Sequence, residues 1–302
     1  MFTDPSRVPL AARAWIADGT TGALVAADGT IDWYCPGRID APATFYALID
    51  PEGGALRLGP VRPGTGPRRR LPAGRQRYLP GTNVATLELA ARDRRLRVVD
   101  FVPWSGPGAT PAGRLVRVAT ALAGPVDVEV EIRPGAAFGP ARNVSAFSEG
   151  LAWSDPGRGT GTVVRTGFPL TVSGRDRPVW RGVQRLEPGA HLVVTVDRVD
   201  DERHVPLSVD AALDLLEVTT VAWRRWAAGL AYDGAHAGAV ERSALAVKAL
   251  TLAGLGGAAP VAGATTSLPR RAGGERTADD RYVRWRDAAA AAATLAGVGL
   301  VD

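Results

Sequence analysis

The chain has 302 residues, 46% of them hydrophobic and 22% charged, with a formal net charge of +5. That length can bury a sizeable core and that balance excludes wholesale disorder. No apolar run reaches the roughly 18 residues of a membrane helix, so no membrane partner is expected. The first ten residues lack the apolar stretch of a secretory signal. Cys35 is the sole cysteine, which excludes an intrachain disulfide and fits a reducing, cytoplasmic location. It lies in a strand-like run beside Trp33 and Tyr34 and reads as a core thiol. Nucleic acid is not the expected partner despite the positive charge. The densest basic run, Arg68 to Arg77, sits among Pro and Gly with one aromatic, Tyr78, whereas a groove that stacks bases interleaves aromatics with its cations.

Taken in order, residues up to about 205 read as strands. Leu87 to Leu89, Leu96 to Phe101, Leu115 to Leu122 and Leu192 to Val199 are β-rich, and Val126 to Arg133 alternates apolar and charged, predicting one buried and one wet face. Turn signals separate these runs at Asp28-Gly29, Pro80-Gly81, Gly124-Pro125, Pro134-Gly135 and Pro188-Gly189. Short strands with such punctuation, and no long helix between them, predict a mainly β protein built on an antiparallel sandwich. Gly157, Gly159 and Gly161 precede strand-like Thr162-Val163-Val164, so they read as a hairpin loop and not as a phosphate cradle.

The period changes after Pro206. Ser208 is placed to cap a helix whose apolar stripe is Ala211, Leu215, Val218, Ala222 and Trp226. A second helix fits Ala239 to Leu252, with Val240, Ala244, Val247 and Leu250 on one side. A loop rich in Gly and Pro follows, and a last helix from about Arg281 is alanine-rich over 288–293. The domains expected are therefore a β-sandwich over 1–205, a linker helix over 206–235, and a helical part over 236–302.

Carboxylates carry the chemistry that remains. His191, His204 and His236 are scattered without metal-ligand spacing, no nucleophile elbow occurs, and no cofactor is expected. Glu275, Asp279, Asp280 and Asp287 gather near the start of the last helix, interleaved with Arg276, Arg281, Arg284 and Arg286. Two accounts fit. Acids near a helix start complement its dipole and pair with neighbouring arginines. Alternatively, carboxylates and guanidiniums hold sugar hydroxyls by charge-assisted hydrogen bonds, with aromatics on the ring faces.

These residues bear a resemblance. Thr265-Thr266-Ser267-Leu268-Pro269, Gly273-Gly274-Glu275-Arg276, Asp279, Arg281-Tyr282 and Arg286-Asp287-Ala288 stand where glycoside hydrolase family 15 opens its catalytic barrel. Asp28-Gly29-Thr30-Ile31-Asp32-Trp33, Arg38-Ile39-Asp40-Ala41-Pro42, Tyr78 to Val84, Asp100-Phe101-Val102-Pro103 and Arg242 to Leu245 resemble the same family in the same order. The resemblance implies a β-sandwich, a linker helix and an (α/α)6 barrel that hydrolyses terminal α-glucosidic bonds with inversion. It implies that Arg286 and Asp287 hold glucose in the innermost subsite, with Asp279, Tyr282 and Trp285 beside them. The family's acid and base are glutamates of later barrel segments, which are missing here, so no catalytic residue is assigned. Ala278, Asp280 and Arg284 replace two family aromatics and a tyrosine, so stacking surface is reduced.

The expected function is thus the N-terminal part of an α-glucosidase of glucoamylase or trehalase type, truncated and inactive alone. Its ligand would be an α-glucoside or maltooligosaccharide. The alternative is a sandwich module that binds a glycan or a catalytic partner. Exposed barrel helices are expected to favour self-association or a partner subunit.

Overall fold

The computed structural model describes residues 9–61, 74–91, 93–108, 113–155, 160–175, 177–199, 206–252 and 284–301. These residues form 15 strands in two sheets, every pair antiparallel, and three α-helices. With strands numbered along the chain, the first sheet runs β1 (Arg13–Ala17), β2 (Gly22–Ala26), β3 (Thr30–Cys35), β4 (Ala55–Pro60), β9 (Val126–Arg133), β14 (Val179–Leu186) and β13 (Thr171–Ser173). The second runs β10 (Arg142–Phe147), β11 (Gly150–Ser154), β12 (Gly161–Arg165), β15 (His191–Val199), β8 (Arg114–Ala123), β7 (Arg94–Phe101), β6 (Ala85–Ala91) and β5 (Arg75–Tyr78). All the strand runs expected from the sequence are present.

Alternation builds the core between the sheets. Val128, Val130 and Ile132 of β9 meet Leu96 and Val98 of β7, Leu115 and Ala119 of β8, and Val194 and Val196 of β15 in one buried cluster. Turn chemistry sets the connections. At Asp28-Gly29 the Asp28 carboxylate accepts from Thr30 N at 3.0 Å, and Gly29 has φ +83°. A Cβ on Gly29 would stand 2.1 Å from the Leu58 carbonyl, so only glycine fits. β11 and β12 pair antiparallel from Ser154↔Gly161 onward, while Gly157 and Gly159 lie outside the described residues.

The face of β9 expected to be wet is a cross-strand ion ladder instead. Arg57 of β4 and Arg181 of β14 both stand opposite Glu131. Arg181 Nε donates to Glu131 at 2.9 Å, Arg57 Nη1 donates to Glu129 at 3.0 Å, and Glu131 is only 3% exposed. The cause is position: β9 is central, and long arginine stems from both neighbours cover its acids. A second ion pair lies inside the sandwich, where Arg117 Nε donates to Asp100 at 2.6 Å with both side chains fully buried.

The helices α1 (Val209–Ala227), α2 (Ala237–Ala249) and α3 (Trp285–Gly297) form a third layer. They cover the outer face of the second sheet, where Val99 and Phe101 of β7 and Val116 and Val118 of β8 meet Trp223, Trp226, Leu245, Leu295 and Leu300. Ser208 caps α1 as expected, its hydroxyl accepting from Ala211 N at 3.1 Å. The buried stripe of α1 differs from the expected one. Ala222 and Trp226 are buried as expected, but they are joined by Ala212, Thr219, Trp223 and Ala227, while Val218 is 49% exposed. Two tryptophans claim the sheet, and Thr219 accepts from Trp104 N at 3.2 Å, which turns the helix by about one position. On α2 Ala244 is buried as expected, joined by Leu245 and Ala249.

Among the described residues no helix is long and apolar enough to cross a membrane.

Candidate functional site

The helical layer is seated by residues far apart in sequence. After β5 the chain turns through Leu79 to Val84, closed by Leu79 N donating to Val84 O at 2.9 Å and by Thr82 Oγ1, which accepts from Val84 N at 3.0 Å. The turn presents carbonyls and an amide outward. Arg242 of α2 donates from Nη1 to Thr82 O at 2.8 Å and from Nη2 to Asn83 Oδ1. Its guanidinium lies 4.1 Å from the Tyr78 ring centroid, a cation–π arrangement. Asn83 returns the contact, Nδ2 donating to Leu245 O at 2.8 Å in a fully buried position. Arg224 of α1 reaches Pro80 O at 3.3 Å.

Tyr78 ties this joint to the first sheet. Its hydroxyl donates to Trp15 O at 2.9 Å and accepts from Trp15 N at 2.8 Å. Burial pushes the Tyr78 phenol above its ordinary value, although the Arg242 charge opposes this. Burial likewise lowers Arg242, which remains a cation. One guanidinium thus joins a helix, a turn and, through Tyr78, both sheets.

Below the joint three tryptophans pack together. Trp104 and Trp223 have ring centroids 4.0 Å apart, and Trp223 meets Trp226 edge-on at 6.4 Å. The third helix is fastened at its C-terminal end. Gly299 N donates to Ala296 O at 3.0 Å and Leu300 N to Leu295 O at 2.9 Å, with Gly299 at φ +87°. That is a Schellman ending, and its Leu295 and Leu300 both enter the core under the helices.

Three of the sugar-site residues expected from the sequence lie at the opposite end of α3. Asp279 and Tyr282 fall outside the described residues, as do Glu275, Ala278 and Asp280. Trp285, Arg286 and Asp287 form the first turn of the helix. Trp285 is 85% exposed, and the Arg286 side chain, 92% exposed, donates to Asp287 Oδ1 at 3.3 Å. The described residues therefore do not enclose these three. Asp287 also occupies the position where an acid complements the helix dipole, so the first account of the cluster holds for it as well.

The histidines that are described serve locally: His191 Nδ1 lies 2.9 Å from Thr120 Oγ1 across a strand pair. Cys35 is buried and directs its thiol toward the Ala41 carbonyl at 3.6 Å. His204 lies outside the described residues. Sequence reasoning missed the joint. Both of its blocks were visible, but no local signal pairs Asn83 with a carbonyl 162 residues away.

The model of the family described as trehalase-like, N-terminal, matches residues 4–154. The chain belongs to that family. It is similar to the trehalase of Mycobacterium tuberculosis, 29% identical over 97% of this chain and 44% of that protein. It is also similar to the trehalases of Thermoplasma volcanium, 29% identical over 95% and 44%, and Thermoplasma acidophilum, 30% identical over 91% and 46%. The chain spans about half the length of the curated relatives it matches. Among solved structures it is similar to a putative kojibiose phosphorylase from human microbiome at TM-score 0.43 and 7% identity, over 83% of this chain and 40% of that one. Membership in the family, with trehalase relatives, places the chain among glycosidase-like proteins.

Proposed function

We propose that this chain supplies the sandwich and the first helices of an inverting α-glucoside hydrolase of glycoside hydrolase family 15, of trehalase type. The observation that carries the proposal is the extent of the match. Curated trehalases align over 91% to 97% of the chain, which takes in the helical layer as well as the sandwich.

In this reading 1–205 is a scaffold domain, 206–235 a linker and 236–302 the opening of an (α/α)6 barrel. Arg286 and Asp287 donate and accept at the hydroxyls of the innermost glucose, with Asp279, Tyr282 and Trp285 beside them. Inversion needs one carboxylic acid on the leaving oxygen and one carboxylate on a water, roughly 6.5–9.5 Å apart. No residue in the first turn of α3 is enclosed, and an acid raised to the working range needs an enclosed site. In this reading neither the acid nor the base is among the described residues, and the chain is inactive alone. The outward side of the helical layer supports a cover of that kind: Val218 is 49%, Val221 46% and Trp285 85% exposed.

The test is complementation. Trehalose and maltose are offered to the purified chain, alone and mixed with the C-terminal half of a matched trehalase. Hydrolysis only in the mixture is expected, each trehalose giving one β- and one α-glucose as inversion at one anomeric carbon requires. Activity of the chain alone at the same rate, or none in the mixture despite stable association, would overturn the reading.

A further inference from the structure

The outer face of the second sheet is only partly covered. The helical layer takes its apolar rows, Val99 and Phe101 of β7 with Val116 and Val118 of β8. Two residues further along the same strands the face turns polar. There Arg75 of β5 stands opposite Glu88 of β6, Glu88 opposite Arg97 of β7, Arg97 opposite Thr120 of β8, and Thr120 opposite His191 of β15. These residues form one row across five strands. Their sequence neighbours Leu87, Leu96, Val98, Ala119 and Leu192 belong to the core between the sheets, so the row points outward. Arg77 lies on the same face two residues from Arg75, and Arg95 two residues from Arg97.

Charge on this strip is one-sided. Arg77 and Arg97 both donate to Glu88 Oε1, at 3.2 and 3.1 Å, yet their side chains stay 52% and 42% exposed. Arg75 and Arg95 are exposed and make no ion pair among the described residues. In the adjoining β6–β7 turn Asp93 and Arg94 cancel, and Glu187, before β15, is paired with Arg185. The chain leading into β5 brings no acid: residues 62–73 include arginines and no carboxylate, and position 92 is a further arginine. Four arginines thus face one glutamate. The outer face of the first sheet is different, because Arg57, Arg181 and Arg185 meet Asp127, Glu129 and Glu131 one for one. One sheet is balanced within the chain and the other is not.

The spacing selects among anions. A small anion needs cations that converge, and the point where Arg77 and Arg97 converge is already filled by the Glu88 carboxylate. Nucleic acid is disfavoured because no aromatic side chain stands in the row and Glu88 would face its phosphates. Adjacent strands lie about 4.8 Å apart, so Arg75 and Arg97 leave the sheet about 10 Å from each other. A helix with carboxylates at i, i+4 and i+7 spans about 10.5 Å from first to last, which matches. Such a helix would lie along the row beside the helical layer, whose nearest covered row is about 7 Å away. Thr120 and His191, joined at 2.9 Å, continue the row past the arginines as polar groups.

We infer that this bare strip of the second sheet is a docking surface for an acidic helix of a protein partner. The excess positive charge steers the partner, and the separation of Arg75 and Arg97 sets its register. The inference goes beyond the hydrolase reading and does not depend on it, since no residue of α3 takes part.

Calorimetry on the whole chain at about 50 mM salt tests it. The probe is an alanine-based helical peptide with glutamates along one face, compared with its glutamine counterpart and a short duplex DNA. Only the glutamate peptide should bind well, and raising salt to about 0.3 M should weaken it by about tenfold or more. Arg75→Gln with Arg95→Gln breaks no ion pair, so the melting temperature should hold while binding falls by about tenfold. Arg142→Gln with Arg175→Gln removes the same charge from exposed positions on β10 and in the β13–β14 turn, and should change binding by less than about twofold. Four results overturn the inference: no binding of the glutamate peptide, equal binding of the glutamine peptide, equal weakening by the two double variants, or tighter binding of the duplex.

Discussion

Replacing Arg242 by alanine should loosen the helical layer without unfolding the sandwich. The side chain makes two charge-assisted hydrogen bonds, to Thr82 O and Asn83 Oδ1, and lies over the Tyr78 ring. Bonds of that kind contribute about 1.5–3 kcal/mol each and the ring contact about 1 kcal/mol. Their sum, about 4–7 kcal/mol, is an upper bound, because the joint is partly exposed and water can reach the freed Thr82 carbonyl. A net loss of about 3 kcal/mol follows, roughly two powers of ten in an opening equilibrium. Hydrogen exchange reads this directly: α2 amides should lose about 100-fold in protection while β7, β8 and β9 keep theirs. Arg242→Lys retains the charge but not the fork, and should recover about half. Asn83→Ala removes the buried bond to Leu245 O and one partner of Arg242, so the double variant should fall short of additivity by about 1 kcal/mol. A loss below about 0.5 kcal/mol for Arg242→Ala, or equal loss of protection in both sheets, would refute the joint.

Asp100→Ala strands Arg117 inside the sandwich and should cost about 3–5 kcal/mol in urea unfolding, whereas Asp100→Leu with Arg117→Met should regain most of it. Glu131 tests pH dependence: burial pushes its carboxyl up, but the Arg181 hydrogen bond and the charges of Arg181 and Arg57 outweigh this and hold it below the ordinary 4.5. A depressed carboxylate contributes stability that is present above its unfolded value and lost as pH falls through its folded value. Thermal melts should therefore show Glu131→Gln weaker than the parent at pH 7, with the gap closing below about pH 4. Gly299→Ala places a Cβ 3.0 Å from Gly229 O at φ +87° and should cost about 1–2 kcal/mol, read as earlier exchange of α3 amides.

Much of the sandwich was legible because its signals are local. Alternation in Val126 to Arg133 and the turn dipeptides need no knowledge of distant chain, and the strands lie where those patterns put them. The solvation of a face was not legible. Glu131 reads as wet until its neighbours are known to be Arg57 and Arg181, and strand order is a property of the whole sheet. The phase of α1 failed for a similar reason. Counting apolar residues placed Ala222 and Trp226 correctly but favoured Val218 over Trp223, which has far more surface to bury and shifts the rotation. Of the expected sugar-site residues, Trp285, Arg286 and Asp287 do share one helical turn, as their adjacency requires.

Several of the blocks that carry the family resemblance have a common physical meaning in the described part of the chain. Tyr78 to Val84 and Arg242 to Leu245 are the two halves of one joint. Asp28-Gly29 is a turn that admits only glycine, and Asp100 is the acid of a buried ion pair. Asp32 receives Arg13 Nη2 at 2.7 Å inside the first sheet. None of these faces solvent in a pocket. Resemblance there reports how helices are seated on a sandwich, which is a statement about architecture. Chemistry has to be argued where side chains are exposed to a ligand, and among the described residues the open first turn of α3 is such a place. It needs a cover to become a site.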